Sequence, residues 1–186
     1  LIYPMVAYCM VFADIIMVVL YGKNYEASGS YFRIRLITNF FTLIAFAPLL
    51  INIGKVKFYT SVQMYSAIVL IPLQFIVAKY MDSALGVSCV STLCTIGRIF
   101  VMLYVIAKLF EVKFVELFPL KLIVLIVVPS FLILFAERCL LVNILDLNYL
   151  LILIISLLVF ATIYLAYSYI VKLDYLSILN QLKRKW

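Results

Sequence analysis

Apolar runs of about twenty residues recur along this chain, parted by short clusters of charged and turn residues, and that repeat limits what it can fold into. A bilayer's hydrocarbon core is roughly 30 Å thick and a helix rises about 1.5 Å per residue, so each run is long enough to cross it. Hydrophobic residues fill 68% of the 186 positions and the mean hydropathy is +1.25. One soluble core of this size cannot hide so much apolar surface. The expected fold is therefore all-α, a polytopic transmembrane helical bundle with six spans, at 1–21, 32–53, 58–78, 84–107, 118–136 and 149–171. The runs do not alternate apolar with polar residues and are about twice strand length, which excludes a barrel. Pro48, Pro72 and Pro129 fall inside spans, where packed neighbours can satisfy the carbonyls they free, while Pro119 stands near a helix start. Residues 137–148 read as a connection, with Glu137 and Asp146 solvated, like Glu111 and Glu116 in the loop before them.

The formal charge of +7 reads as topology, because Lys and Arg concentrate in loops that stay cytoplasmic; it does not point to nucleic acid. With a cytoplasmic C-terminus, Lys55, Lys57, Lys108, Lys113, Lys121, Lys172, Lys183, Arg184 and Lys185 lie inside. Lys23, Arg33, Arg35, Lys79 and Arg138 lie toward the outside, and Arg98 falls within the membrane. Tyr21, Tyr25, Tyr31, Tyr80, Tyr149 and Trp186 stand near span ends, as interfacial aromatic residues do. The chain starts with Leu, already within an apolar run, and is expected to be the C-terminal portion of a longer protein.

Several function classes fall away. There is no His, so the commonest general base, metal ligand and pH-sensing side chain are all missing. The four cysteines, Cys9, Cys89, Cys94 and Cys139, form no C-x-x-C pair and read as small packing residues. No G-x-S-x-G, H-E-x-x-H or glycine-rich phosphate loop occurs. No catalytic residue, metal or cofactor is expected, and the chain does not read as an enzyme.

Polar residues inside the spans carry the functional signal. An Arg at mid-membrane costs about 2.5–3.5 kcal/mol on insertion scales, and Arg98 lies past the middle of the fourth span. Helical spacing puts Ser88, Ser91, Thr95 and Arg98 on one stripe, which should face other helices or a wet cavity. A guanidinium there can hold a phosphate bidentately, or it can snorkel to the inner headgroups. Arg33 and Arg35, continued by Thr38, Asn39 and Thr42, either line the outer mouth of a cavity or fix a helix end to headgroup phosphates. Gln63, Ser66 and Gln74 form a stripe on the third span that suits a cavity wall or interhelical hydrogen bonds. Asp14 is a candidate ion-coupling carboxylate, or a partner for a basic residue elsewhere.

Three segments of residues 1–107 carry a family pattern. Asp14-Ile15-Ile16-Met17-Val18-Val19-Leu20-Tyr21-Gly22-Lys23-Asn24-Tyr25 resembles a helix-ending segment of polysaccharide flippases. Asn52-Ile53-Gly54-Lys55-Val56-Lys57-Phe58 is similar to their short turn between two helices. Ala78-Lys79-Tyr80-Met81-Asp82-Ser83-Ala84-Leu85-Gly86-Val87-Ser88 resembles their helix–short loop–helix segment, although Ser-Ala-Leu-Gly-Val-Ser replaces the usual Gly-Ala-rich start. The three occur in the order and spacing of that family, part of the multidrug/oligosaccharidyl-lipid/polysaccharide flippase superfamily. The resemblance implies that residues 1–107 are four helices of the second lobe of a two-lobed transporter. Residues 108–186 would then add two C-terminal helices and a basic cytoplasmic tail.

It further implies a multi-pass protein of the bacterial cytoplasmic membrane that works by alternating access. The cargo would be an undecaprenyl-diphosphate-linked oligosaccharide, such as a lipopolysaccharide or O-antigen repeat unit. Partners would be membrane lipids and the remaining N-terminal helices of the same transporter. Arg98, Arg33 and Arg35 would form its cationic substrate cavity, lined also by Gln63, Ser91 and Thr95. Three other readings compete: a multidrug exporter of the same superfamily, a membrane-embedded glycan polymerase or transferase, and a small structural membrane subunit. The exporter would need an anionic cavity, with Asp14 the candidate; the enzyme would need longer outer loops than this chain has.

Overall fold

The apolar runs become helices, and the longest runs become the longest helices. The computed structural model describes residues 2–42, 46–81, 83–112, 120–143 and 148–171. Its helices are α1 (Ile2–Val11), α2 (Ala13–Tyr21), α3 (Ser28–Thr42), α4 (Phe46–Asn52), α5 (Val56–Met81), α6 (Ala84–Leu109), α7 (Leu120–Asn143) and α8 (Tyr149–Ile170), with a short 3-10 turn at Lys23–Tyr25. No strand occurs among the described residues. The protein is an all-α membrane bundle.

Four helices are long and apolar enough to cross a bilayer: α5, α6, α7 and α8. They match the third to sixth expected spans. The first expected span is a bent pair, since α1 and α2 meet at 76°. The second is divided between α3 and α4, which have 15 and 7 residues; neither alone reaches the 30 Å of a bilayer core. One expectation is corrected. α7 runs on through residues 137–143, so Glu137 is a buried helical residue and not a solvated loop one. The apolar residues Cys139, Leu140 and Leu141 after Glu137-Arg138 let the helix continue across the two charges. Pro119, Glu116, Asp146 and the basic tail lie outside the described residues.

Local chemistry accounts for the sharp ends. Ser83, in extended conformation, caps α6 by accepting a hydrogen bond from the Gly86 amide, which satisfies one of the free donors of the first turn. Gly54 takes a φ of +78° between α4 and α5, a conformation a side chain rarely adopts, and so permits the short expected turn. Pro72 and Pro129 are carried inside α5 and α7.

Packing forms two cores. One joins α1, α2, α7 and α8 around Ala7, Phe12, Leu134, Ile152 and Phe160. There the Tyr8 hydroxyl donates to the Leu153 carbonyl at 2.7 Å and lies 3.0 Å from Ser156 Oγ, tying α1 to α8. The second core gathers Leu50, Ile99, Met102, Leu103 and Ile106, from α4 and α6, with Tyr59 and Val62 of α5 against it. α3 joins them, packing on α1, α2 and α6. The most apolar stretch of α5 buries none of its residues within the protein. Lipid tails are as apolar as Leu, so such a face carries no hydrophobic penalty in a membrane, and cohesion rests on close packing and interhelical hydrogen bonds.

Candidate functional site

Two crevices lie beside α6; Ser88 and Ser91 of the polar stripe line one, and Arg98 lines the other. Residues three and four apart share a helix face, which brings Ser88 and Ser91 together and leaves Arg98 farther down the same side. The first crevice, of about 480 Å³, is lined by Tyr31 and Arg35 of α3, Gln74 of α5, and Ser88, Ser91 and Thr92 of α6. The second, of about 400 Å³, is lined by Val62, Tyr65 and Ser66 of α5 and by Cys94, Gly97 and Arg98 of α6. From Ser91 to Arg98 the helix climbs about 10 Å at its usual rise per residue. Arg35 on α3 and Arg98 on α6 therefore line different crevices.

Arg98 Nη1 donates to Gln63 Oε1, and Gln63 Nε2 in turn donates to the Tyr59 hydroxyl at 3.0 Å. This chain of hydrogen bonds orients the guanidinium without neutralising it. Neither Arg98 nor Arg35 has an acidic partner among the described residues. Thr92 is 4% exposed and its hydroxyl has no hydrogen-bond partner among the described residues, beside the crevice that Arg35 lines. A buried polar group left unpaired in this way costs free energy that a bound polar ligand would recover. Thr95 is differently disposed, because its hydroxyl donates back to the Ser91 carbonyl at 2.8 Å.

The other expected site residues assemble elsewhere. Arg33 does not join Arg35, since residues two apart on a helix point to different sides. Its Nη2 donates to Asp14 Oδ1 at 2.7 Å and its Nε to the Met10 carbonyl at 3.0 Å. Arg138 of α7 grips Asp14 from the other side, with Nη1 on Oδ1 at 2.9 Å and Nη2 on Oδ2, and Nη1 also reaches the Val11 carbonyl. In an unbroken helix the Met10 and Val11 carbonyls would accept from amides four residues on, those of Asp14 and Ile15. At the 76° bend two guanidiniums serve those carbonyls, and both pair with Asp14, which offsets part of their charge. A bend without proline is thus held by tertiary partners.

Gly29 lets α3 come this close. A Cβ there would lie 2.6 Å from Asp14 Cα and 2.7 Å from its amide nitrogen. A small cavity of about 150 Å³, lined by Asp14, Glu26, Arg138 and Tyr149, adjoins the clamp.

Of the three arginines expected to make a cationic cavity, Arg98 and Arg35 line crevices and Arg33 belongs to the clamp. Gln63 supports Arg98, and Ser91 lines the first crevice. The residues that sequence reasoning passed over are Tyr31, Thr92, Glu137 and Arg138. Thr92 sits beside Ser91, and only the packing of α3 on α6 reveals that it lines the same crevice. Arg138 was visible as a charge, but its role needs the contact between α1 and α7, which are more than a hundred residues apart. Among the described residues, no three of His, Cys, Asp and Glu are grouped so as to hold a metal ion. No protein-family model, no curated protein and no solved structure matches the chain.

Proposed function

We propose that this chain is part of a transporter that moves an anionic, lipid-linked oligosaccharide across the bacterial cytoplasmic membrane, as a polysaccharide flippase does. The observation that carries the reading is a pair of arginines without acidic partners among the described residues, Arg35 of α3 and Arg98 of α6, each lining a crevice beside α6. A diphosphate linker offers several oxygens to a planar guanidinium fork, and the charge-assisted bonds are strong where water is scarce. The hydroxyls of Ser88, Ser91, Thr92 and Tyr31 are suited to hydrogen-bonding sugar, and the lipid tail can remain in the bilayer beside the exposed face of α5.

The mechanism is binding and reorientation of helix bundles around a cationic path, without covalent chemistry. The remaining helices of the same transporter would complete the path, and the C-terminus lies in the cytoplasm. A drug exporter that takes cations is less well served by this geometry, because Asp14 is already held by Arg33 and Arg138.

The test is retention of undecaprenyl diphosphate by the protein in lipid nanodiscs, alongside surface-glycan export in cells at matched protein levels. Losing a charge-assisted contact of about 1.5–3 kcal/mol weakens binding by roughly tenfold or more, so Arg98→Ala should bind tenfold less tightly and export less glycan. Equal binding by Arg98→Ala and the unaltered protein would refute the reading.

A further inference from the structure

Beside the arginine clamp, and apart from the α6 crevices, a second acidic residue is buried with no partner. Glu137 of α7 is 6% exposed, both of its carboxylate oxygens are enclosed, and no described residue donates a hydrogen bond to either. We propose that Glu137 is a proton-binding site, and that the bound proton keeps the seam between α1 and α7 closed beside the bend.

The argument rests on what surrounds the group. α7 packs along α1 and against α8. From α1 the neighbouring titratable groups are Tyr8 and Cys9, and the Tyr8 phenol lies within electrostatic reach of Glu137. From α2 comes Asp14, held by Arg33 of α3 and by Arg138 of α7 itself. α8 contributes Tyr149 at its start, and its sequence from Tyr149 to Ile170 contains no Asp, Glu, Lys or Arg. On α7, Cys139 is exposed.

Both cations in the neighbourhood are therefore committed to Asp14 and to the Met10 and Val11 carbonyls. A charged carboxylate placed among Tyr8 and the core residues would be enclosed from water with no described group bonded to it, an arrangement more costly than a neutral carboxyl.

Removing the proton to water forces a choice between two responses. Water must enter the seam, or a guanidinium must leave Asp14. Arg138 is adjacent in sequence, yet neighbouring helical residues do not face one another, so it cannot reach Glu137 while α7 keeps its place against α1. Either response separates the helices where Arg138 holds the Val11 carbonyl. A proton that binds the closed form better than the open one shifts the population between them, and raising the pH should open the seam. The consequence is a bend whose geometry follows protonation, and it holds whatever cargo the α6 face carries.

The test uses the full chain in lipid nanodiscs with no transport substrate. Infrared difference spectra between low and high pH should contain the carbonyl stretch of a protonated carboxyl that disappears as pH rises, and Glu137→Gln should lack it. If the Gln variant does not reconstitute, Glu137→Asp keeps the carboxyl and should move the band. The seam is read from Cys9, with Cys89, Cys94 and Cys139 replaced by Ser, through its rate of labelling by a water-soluble maleimide. The ratio of that rate with Glu137 present to the rate in Glu137→Gln should rise several-fold across the same pH range; taking the ratio removes the ordinary pH dependence of the thiol. An unchanged infrared difference spectrum in the variants overturns the proton site. A ratio that stays flat overturns its control of the seam.

Discussion

Gly29→Ala is a small change with a large expected effect, because α3 meets the backbone of α2 at that position. The added Cβ would stand 2.6 Å from Asp14 Cα and 2.7 Å from its nitrogen. Carbon atoms rest about 3.5 Å apart or more, so the helices must separate by nearly 1 Å, and backbone cannot swing aside as a flexible side chain can. Overpacking of this kind costs about 1–3 kcal/mol. Alanine returns up to about 1 kcal/mol through its better helix propensity, less than usual because Gly29 lies in the first turn of α3. The net is a loss of about 1–2 kcal/mol, which for a chain of this length lowers the midpoint by roughly 2–8 °C.

Gly97→Ala is the control, since a Cβ on Gly97 meets nothing within 4 Å and keeps the propensity gain. Size-exclusion chromatography after heating in detergent, scored as the fraction still monodisperse, compares both variants with the unaltered chain. If Gly29→Ala survives heating as well as Gly97→Ala, then α2 and α3 do not approach closely, and the clamp built on that approach is misplaced.

Asp14→Asn should destabilise the bundle by on the order of 2 kcal/mol, reduced from the deep-burial value because the three side chains keep 21–36% of their exposure. Arg138→Gln should act in the same direction, and the double variant should lose clearly less than the two losses added together; strict additivity in the same heating assay would show that the pair does not interact. Tyr8→Phe removes the hydroxyl bonded to the Leu153 carbonyl and should cost about 1 kcal/mol, seen as a lower midpoint with unchanged helix content by circular dichroism. Arg98→Lys keeps the charge but loses the bidentate fork, and should retain glycan export between that of Arg98→Ala and the unaltered protein; export equal to Arg98→Ala would mean that the fork, and not charge alone, is required.

The membrane class was legible because bilayer thickness imposes a length on every crossing helix, and run length is a property of sequence alone. The same reasoning placed α5, α6, α7 and α8 and the glycine turn at Gly54, and it drew attention to Arg98 and Asp14 as charges where charge is costly. Helical periodicity also put Ser88, Ser91 and Arg98 on one stripe; in the structure Ser88 and Ser91 line one crevice and Arg98 another. It could not say which arginine would remain without a carboxylate partner.

Arg33 and Arg35 stand two residues apart in similar surroundings, yet one is tied to Asp14 and the other faces a crevice. The 76° bend has no proline or glycine to announce it; it depends on Arg33 and Arg138 reaching carbonyls 23 and 127 residues away in the chain. Glu137 looked like a loop residue because a charge pair usually ends an apolar run, and only the packing of α7 on α1 makes it a buried carboxyl. Sequence determined which segments must leave water, since that depends on residues counted along one helix. The fate of each charge inside was decided by tertiary structure, since it depends on which distant helix brings a partner within hydrogen-bond reach.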